Sequence, residues 1–271
     1  MIRRTLRILT ALALVLPFAS GPAFSAGAPT SLKVGVAGGV DEQIWEVVSQ
    51  VAKKDGLDVE AIVISGTASP NEALNNGDLN ANSFQHIPYL RDQVKARGYK
   101  IVAVGDTYIS PIGFYSKKYK SLESLPVGAT VSIPADPSNQ TRALVILRDH
   151  KLITLRDGFD PYTGTASLQD VRSNPRKLNF VEADPLVQAR SLPDVDAAAI
   201  VNNVASEAGL YATRDGIAVE HKEHNPYVNI IAVREQDRNA PWVPKLVKAY
   251  QSEEVRHFIQ THFNGSVIPA F

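Results

Sequence analysis

No cysteine occurs among the 271 residues, which excludes disulfides, thiolate metal ligands and the thioether lipid attachment that tethers many exported bacterial proteins. A dominant charge sign is missing as well: 28 basic residues face 28 acidic ones. The charges are interspersed, with no basic stripe to follow a phosphate backbone, so nucleic acid is not an expected partner. Beyond the opening segment no apolar run is long enough to cross a bilayer as a helix. There is no serine elbow, no Walker loop and no His-Glu-x-x-His pattern, which leaves an enzyme without a constellation to stand on and calls for no cofactor. The histidine pairs His221/His224 and His257/His262 fit no recognised zinc spacing, so no metal site is expected.

What is present begins with Arg3, Arg4 and Arg7 ahead of an apolar stretch from Ile8 to Ala19. That pattern reads as a cleavable export signal over residues 1–25, with the small residues Ala23 and Ser25 placed for cleavage before Ala26. The expected product is soluble in the periplasm, with no direct lipid anchor. Losing three arginines leaves 25 basic against 28 acidic residues, a formal charge of minus 3. The remainder, about 246 residues, is long enough for one large domain or for two lobes with separate cores.

Apolar alternation over Leu32, Val34 and Val36 predicts a strand, broken by Gly38-Gly39. Asp41 is placed to cap a helix carrying Ile44, Val47, Val48 and Val51 at the 3.6-residue period. A second strand follows over 59–64, then a short helical turn from Pro70, a polar loop over Asn80–Ser83, a helix over 87–97 and a strand over 101–104. Later come a strand over 129–133, a helix to about Asp149 with Ser138 as its cap, and a short strand over 178–181. An unbroken apolar strand over 195–201 suits a buried parallel sheet. A last strand over 228–233 and two amphipathic helices over 242–250 and 253–263 complete the chain. The pattern is α/β. Read as two lobes, residues 30–112 and 228–271 form the first and 113–227 the second, with the chain crossing near Tyr108–Pro111 and Pro226–Asn229. A single α/β domain is the other reading of the same pattern.

Phe84, His86 and Tyr89 set two flat apolar walls beside an imidazole; equally, Phe84 suits a core and His86 a structural hydrogen bond. Asp136-Pro137-Ser138-Asn139-Gln140-Thr141-Arg142 joins a strand end to a helix. Free N–H groups at that helix start favour an anion, and Arg142 can grip a carboxylate with two parallel hydrogen bonds, a combination suited to an amino acid. An ion-paired surface arginine is the alternative.

These blocks together with Pro70-Asn71-Glu72-Ala73-Leu74, Phe84-Gln85-His86, Pro226-Tyr227-Val228-Asn229 and Ala249-Tyr250-Gln251-Ser252-Glu253 resemble the methionine-binding lipoprotein family of ABC importers, the NlpA or MetQ-like substrate-binding proteins, over essentially the whole chain after the signal. The resemblance implies a two-lobed periplasmic binding protein fold of type II with the ligand cleft between lobes. It also implies L-methionine or a related small amino acid as ligand and the membrane permease of an ABC importer as partner. It carries ligand contacts onto Phe84, His86, Tyr89, Arg142 and Asn229. The family's binding asparagine falls at Val201, with Asn202 or Asn203 displaced next to it. Thr67 and Val204 stand where the family has tyrosines, and Thr141 where it has glycine. These departures imply a smaller, less aromatic pocket. The missing lipobox cysteine is a further departure.

Overall fold

Two sheets organise the chain in the computed structural model, which describes residues 31–65, 69–221, 225–263 and 265–271. The signal segment 1–25, Thr67 and His224 lie outside them.

The first sheet takes β1 (Leu32–Val36), β2 (Val59–Val63), β3 (Ala81–His86) and β4 (Ile101–Ile109) from the early chain, and β12 (Val228–Arg234) and β13 (Ile268–Pro269) from its end. Its order is β13-β4-β12-β3-β1-β2. β1 runs parallel to β2 and β3, while β12 is antiparallel to β3 and β4. Period-2 alternation splits β12 between two cores. Ile231 and Val233 face Trp45, Leu246 and Ile259 from α1 (Val40–Lys54), α8 (Trp242–Tyr250) and α9 (Glu253–His262). Ile230 and Ala232 face Leu74 and Leu90 from α2 (Pro70–Asn76) and α3 (Ile87–Arg97).

The second sheet has the order β11-β5-β10-β6-β9, built from β5 (Gly113–Tyr115), β6 (Thr130–Pro134), β9 (Asn179–Ala183), β10 (Ala197–Ile200) and β11 (Ala218–Val219). A two-stranded ribbon of β7 (Thr154–Leu155) and β8 (Val171–Ser173) lies apart. β10 is buried throughout. Ala197 and Ala199 pack with Leu144 and Leu147 of α4 (Pro137–Asp149), and Ala198 and Ile200 pack with Val204 and Ala205. That second face is covered by the short helices α5 (Gln188–Ser191), α6 (Asn202–Glu207) and α7 (Ala212–Asp215). Each sheet is thus sandwiched between helices, and the chain forms the two-lobed α/β architecture. β4 and β12 run side by side where the chain passes between sheets, with Val228 opposite Ile109.

Three local expectations change. Asp41 does not cap α1; Gly39 occupies that position with φ 72°, and the Asp41 side chain is buried, accepting a hydrogen bond from Tyr108 Oη at 2.5 Å. Ser138 does not cap α4, because Asp136 accepts from Asn139 N at 2.9 Å and a carboxylate at a helix start also meets the helix dipole favourably. The polar segment Asn80–Ser83 is no loop: from Ala81 on it is the interior strand β3. Asn71 and Gln85 exchange hydrogen bonds at 2.8 and 2.6 Å, and Asn82 donates to Asn71 Oδ1 at 2.9 Å and to the Pro70 carbonyl at 3.2 Å. Buried amides that satisfy one another remove the desolvation penalty that polarity implies.

Candidate ligand-binding cleft

The C-terminal ends of β3 and β6 carry α3 and α4 toward each other from opposite lobes, and the two helices touch. His86 ends β3 and also caps α3: its Nδ1 accepts from Tyr89 N at 3.1 Å. A nitrogen that accepts must be unprotonated, so the ring hydrogen sits on Nε2 and is donated to Asn139 Oδ1 at 3.0 Å. Burial, and secondarily the positive charge of Arg142, hold the His86 pKa down at about 3. The ring is therefore a neutral, tautomerically fixed donor throughout the physiological range.

Asn139 Oδ1 also accepts from Arg142 Nη1 at 3.2 Å. Arg142 is only 3% exposed. Its Nε and Nη2 bond the two oxygens of Glu220 at 2.9 and 2.6 Å, and Nη2 also donates to the Ser110 carbonyl at 2.8 Å. Burial opposes the charged guanidinium, but the charge and hydrogen bonds of Glu220 outweigh it and raise the Arg142 pKa. The Tyr227 ring lies under the guanidinium, 4.6 Å from Cζ, and edge-on to His86 with centroids 5.1 Å apart. Burial pushes the Tyr227 hydroxyl up to about 12. Phe84 and Tyr89 meet edge to face at 6.2 Å, and Tyr89 meets His86 at 6.1 Å. Seven residues from three distant stretches thus form one continuous cluster across the two lobes.

The two-pronged carboxylate grip expected of Arg142 is here taken by Glu220. The start of α4 is not an open anion site either. Asp136 covers it, accepting from Asn139 N and Nδ2 and from Ser138 Oγ. Asn229 lies at the crossing strand, with Nδ2 donating to the Tyr108 carbonyl at 3.3 Å. Asn202 is buried at the first turn of α6, and among the described residues no hydrogen bond joins it to the His86–Arg142 cluster. Its helix takes part in a second contact between lobes, where α6 meets α1. There a Cβ on Gly38 would lie 2.7 Å from Glu207 Oε1, and one on Gly39 would strike Ser206 Oγ.

Two of the departures from the family pattern do not shape the cleft as expected. Val204 is buried in the core behind β10, and Thr141 Oγ1 accepts from Ala166 N at 2.9 Å and donates to the Pro137 carbonyl at 2.8 Å. A core valine and a loop-pinning threonine say nothing of pocket size. Asn139, Glu220 and Tyr227 are the cluster members that sequence reasoning did not single out. Asn139 and Tyr227 stood inside quoted motifs; Glu220 reaches Arg142 across 78 positions and leaves no local signal. Among the described residues no group of three or more histidine and acidic side chains is placed to hold a metal.

The sequence model of a family described as NlpA lipoprotein matches residues 32–271. The chain belongs to the NlpA lipoprotein family. Among curated relatives, D-methionine-binding lipoprotein MetQ of Escherichia coli strain K12 is 46% identical over 243 residues, covering 89% of this chain and 88% of the relative. The probable D-methionine-binding lipoprotein MetQ of Haemophilus influenzae is 43% identical over 90% of this chain and 89% of its own. Among solved structures, a nutrient binding protein from Burkholderia cenocepacia bound to methionine is 51% identical with a TM-score of 0.84, covering 89% of this chain and all of the other. These NlpA-family relatives are named as binding proteins, not enzymes. The naming of the two MetQ relatives as lipoproteins is at odds with the expectation of no lipid anchor, while the present sequence holds no cysteine.

Proposed function

We propose that this protein is the extracytoplasmic substrate-binding component of an ABC importer, taking methionine or a related amino acid in the cleft between lobes spanning 30–112 with 228–271 and 113–227. The observation that carries the reading is the chain Tyr89–His86–Asn139–Arg142, in which a neutral histidine from one lobe and an arginine from the other share one amide oxygen. Such an arrangement forms only when the lobes meet, so a ligand that completes it stabilises the closed state by its differential affinity. Phe84, Tyr89 and Tyr227 supply aromatic surface on which a thioether gains about 0.3 to 1.5 kcal/mol beyond apolar burial. Asn229 and Asn202 are proposed to contribute amides for the ligand's polar end. A periplasmic location and delivery to a membrane permease belong to the same reading.

A calorimetric screen of the protein without residues 1–25 against the twenty amino acids and D-methionine tests it. Saturable binding of one methionine enantiomer above the other amino acids is expected. No heat from either enantiomer, with another amino acid bound tightly, would overturn the methionine assignment. Heat from none of them would overturn the amino-acid reading.

A further inference from the structure

Away from α3 and α4, the lobes meet again at the start of α1. Helix α6 of the facing lobe rests on Gly38 and Gly39 so closely that a Cβ on Gly38 would lie 2.7 Å from Glu207 Oε1. Two residues on, the Asp41 side chain turns inward, is 1% exposed and accepts from Tyr108 Oη at 2.5 Å. Tyr108 belongs to the stretch of β4 that crosses between lobes, and its carbonyl accepts from Asn229 Nδ2 of the other crossing strand at 3.3 Å. A path of contacts thus runs from Glu207 in one lobe, through the start of α1 in the other, to the crossing strands.

Among the described residues, the titratable groups that face Asp41 are Tyr108 from β4, Tyr250 from α8 and Glu207 from α6. On α9, His262 turns instead to Gln43, 2.8 Å from its Oε1; Glu42 on α1, Lys33 on β1 and Glu60 on β2 are exposed. Burial holds both tyrosine hydroxyls well above their ordinary range, so they stay neutral, and none of the facing groups is a cation that would balance an ionised Asp41. With the lobes together, burial and then the Glu207 charge favour the protonated carboxyl. Parting the lobes withdraws α6 and Glu207 from the start of α1 and admits water there, which favours the carboxylate. A group that holds its proton more tightly in the closed form makes closure stronger as pH falls and weaker as pH rises. We propose that closing the lobes takes up a proton on Asp41 and opening releases it, so that the closed, ligand-holding form is favoured at pH 6 over pH 8. The inference rests on the binding-protein reading above, since only lobes that open and close turn this contact into a switch.

Calorimetry of methionine binding, in the enantiomer that binds, is run at pH 7 in phosphate and in Tris, whose ionisation heats differ. Wild type should take up a fraction of one proton per methionine. Its affinity should fall by about two- to tenfold from pH 6 to pH 8, since each unit by which closure raises a pKa changes the closing equilibrium by up to about tenfold. Asp41→Asn keeps an acceptor for Tyr108 and should bind without a linked proton; Glu207→Gln should take up less than wild type. Melting curves establish that each variant is folded. Proton release or no exchange in wild type, or uptake unchanged in either variant, would overturn the proposal. If neither enantiomer binds, the amino-acid reading falls and the switch is read without ligand. The chain has no cysteine, so spin labels on Glu60→Cys and Val127→Cys, one exposed position in each lobe, report the distance between lobes. The shorter distance should gain population at pH 6 over pH 8 in the wild-type background and not with Asp41→Asn; equal populations at the two pH values in both backgrounds would overturn the proposal.

Discussion

Where α3 meets α4, a buried guanidinium keeps its charge because Glu220, Asn139, Ser110 and the Tyr227 face all answer it. Near the α1–α6 contact, a buried carboxyl is treated in the opposite way. Asp41 is 1% exposed, accepts a hydrogen bond from Tyr108, has no side-chain partner for Oδ2 among the described residues, and has Glu207 of the facing lobe as a like charge. Burial first, and Glu207 in addition, raise its pKa to about 7. One contact between lobes retains charge by saturating it; the other sheds charge by taking up a proton. The difference gives each contact its own dependence on protons.

The largest expected effect comes from breaking the saturated side. Arg142→Ala leaves Glu220 and Asp136 uncompensated and should weaken binding of the native amino acid by about 2 to 5 kcal/mol, or roughly 30-fold to several thousandfold. The ligand-free protein should lose about 3 to 5 kcal/mol of stability as well. Titration calorimetry and urea unfolding read the two separately. Unchanged affinity in a folded variant would place the amino acid elsewhere.

A second expectation sets the two contacts against each other through pH. Asp41 has a folded pKa raised from 3.8 to about 7, so its contribution is fully present below about pH 4 and is lost as pH rises through 7. His86 has a folded pKa lowered from 6.5 to about 3, so stability tied to its neutral form is present above about pH 6.5 and is lost as pH falls toward 3. In wild type the two slopes oppose one another between about pH 4 and 6.5. Asp41→Asn should expose the acid-side loss, making the protein markedly less stable at pH 4.5 than at pH 7. His86→Asn retains a capping oxygen for α3 and should show the reverse tilt. Denaturation midpoints across that range decide it; identical profiles for both variants would show that neither group titrates as its surroundings demand.

The smallest effect is expected away from both contacts. Arg148 lies on α4 beyond Arg142, partly exposed and paired with its neighbour Asp149. Arg148→Ala should change stability by under about 0.5 kcal/mol and leave binding alone. A loss comparable to that of Arg142→Ala would mean that overall charge, not the specific cluster, governs the cleft.

Much of this was legible in the sequence because the period carried it. Leu32–Val36, Ile87–Arg97 and the helices over 242–250 and 253–262 alternate or repeat as their packing requires, and β10 reads as buried because every residue in it is apolar. β3 escaped because Asn82, Ser83 and Gln85 look like loop until their amide partners are in place. Asp41 and Ser138 stood where caps belong by local preference, but Asp136 had the better acceptor and Tyr108 drew Asp41 inward. At the site, Phe84, His86, Tyr89 and Arg142 were readable from their motifs, whereas Glu220 was not. An ion pair between residues 78 positions apart within one lobe has no local spacing to betray it.

The most direct test of the cleft as an amino-acid site is nitrogen-15 NMR of the six histidine rings during titration with methionine. His86 should remain in the neutral Nε2–H form at pH 6, before and after saturation, and should show the largest shift of its ring resonances. A perturbation centred on His257 and His262 on α9, or a His86 ring that is protonated at pH 6 and unmoved by methionine, would contradict the account.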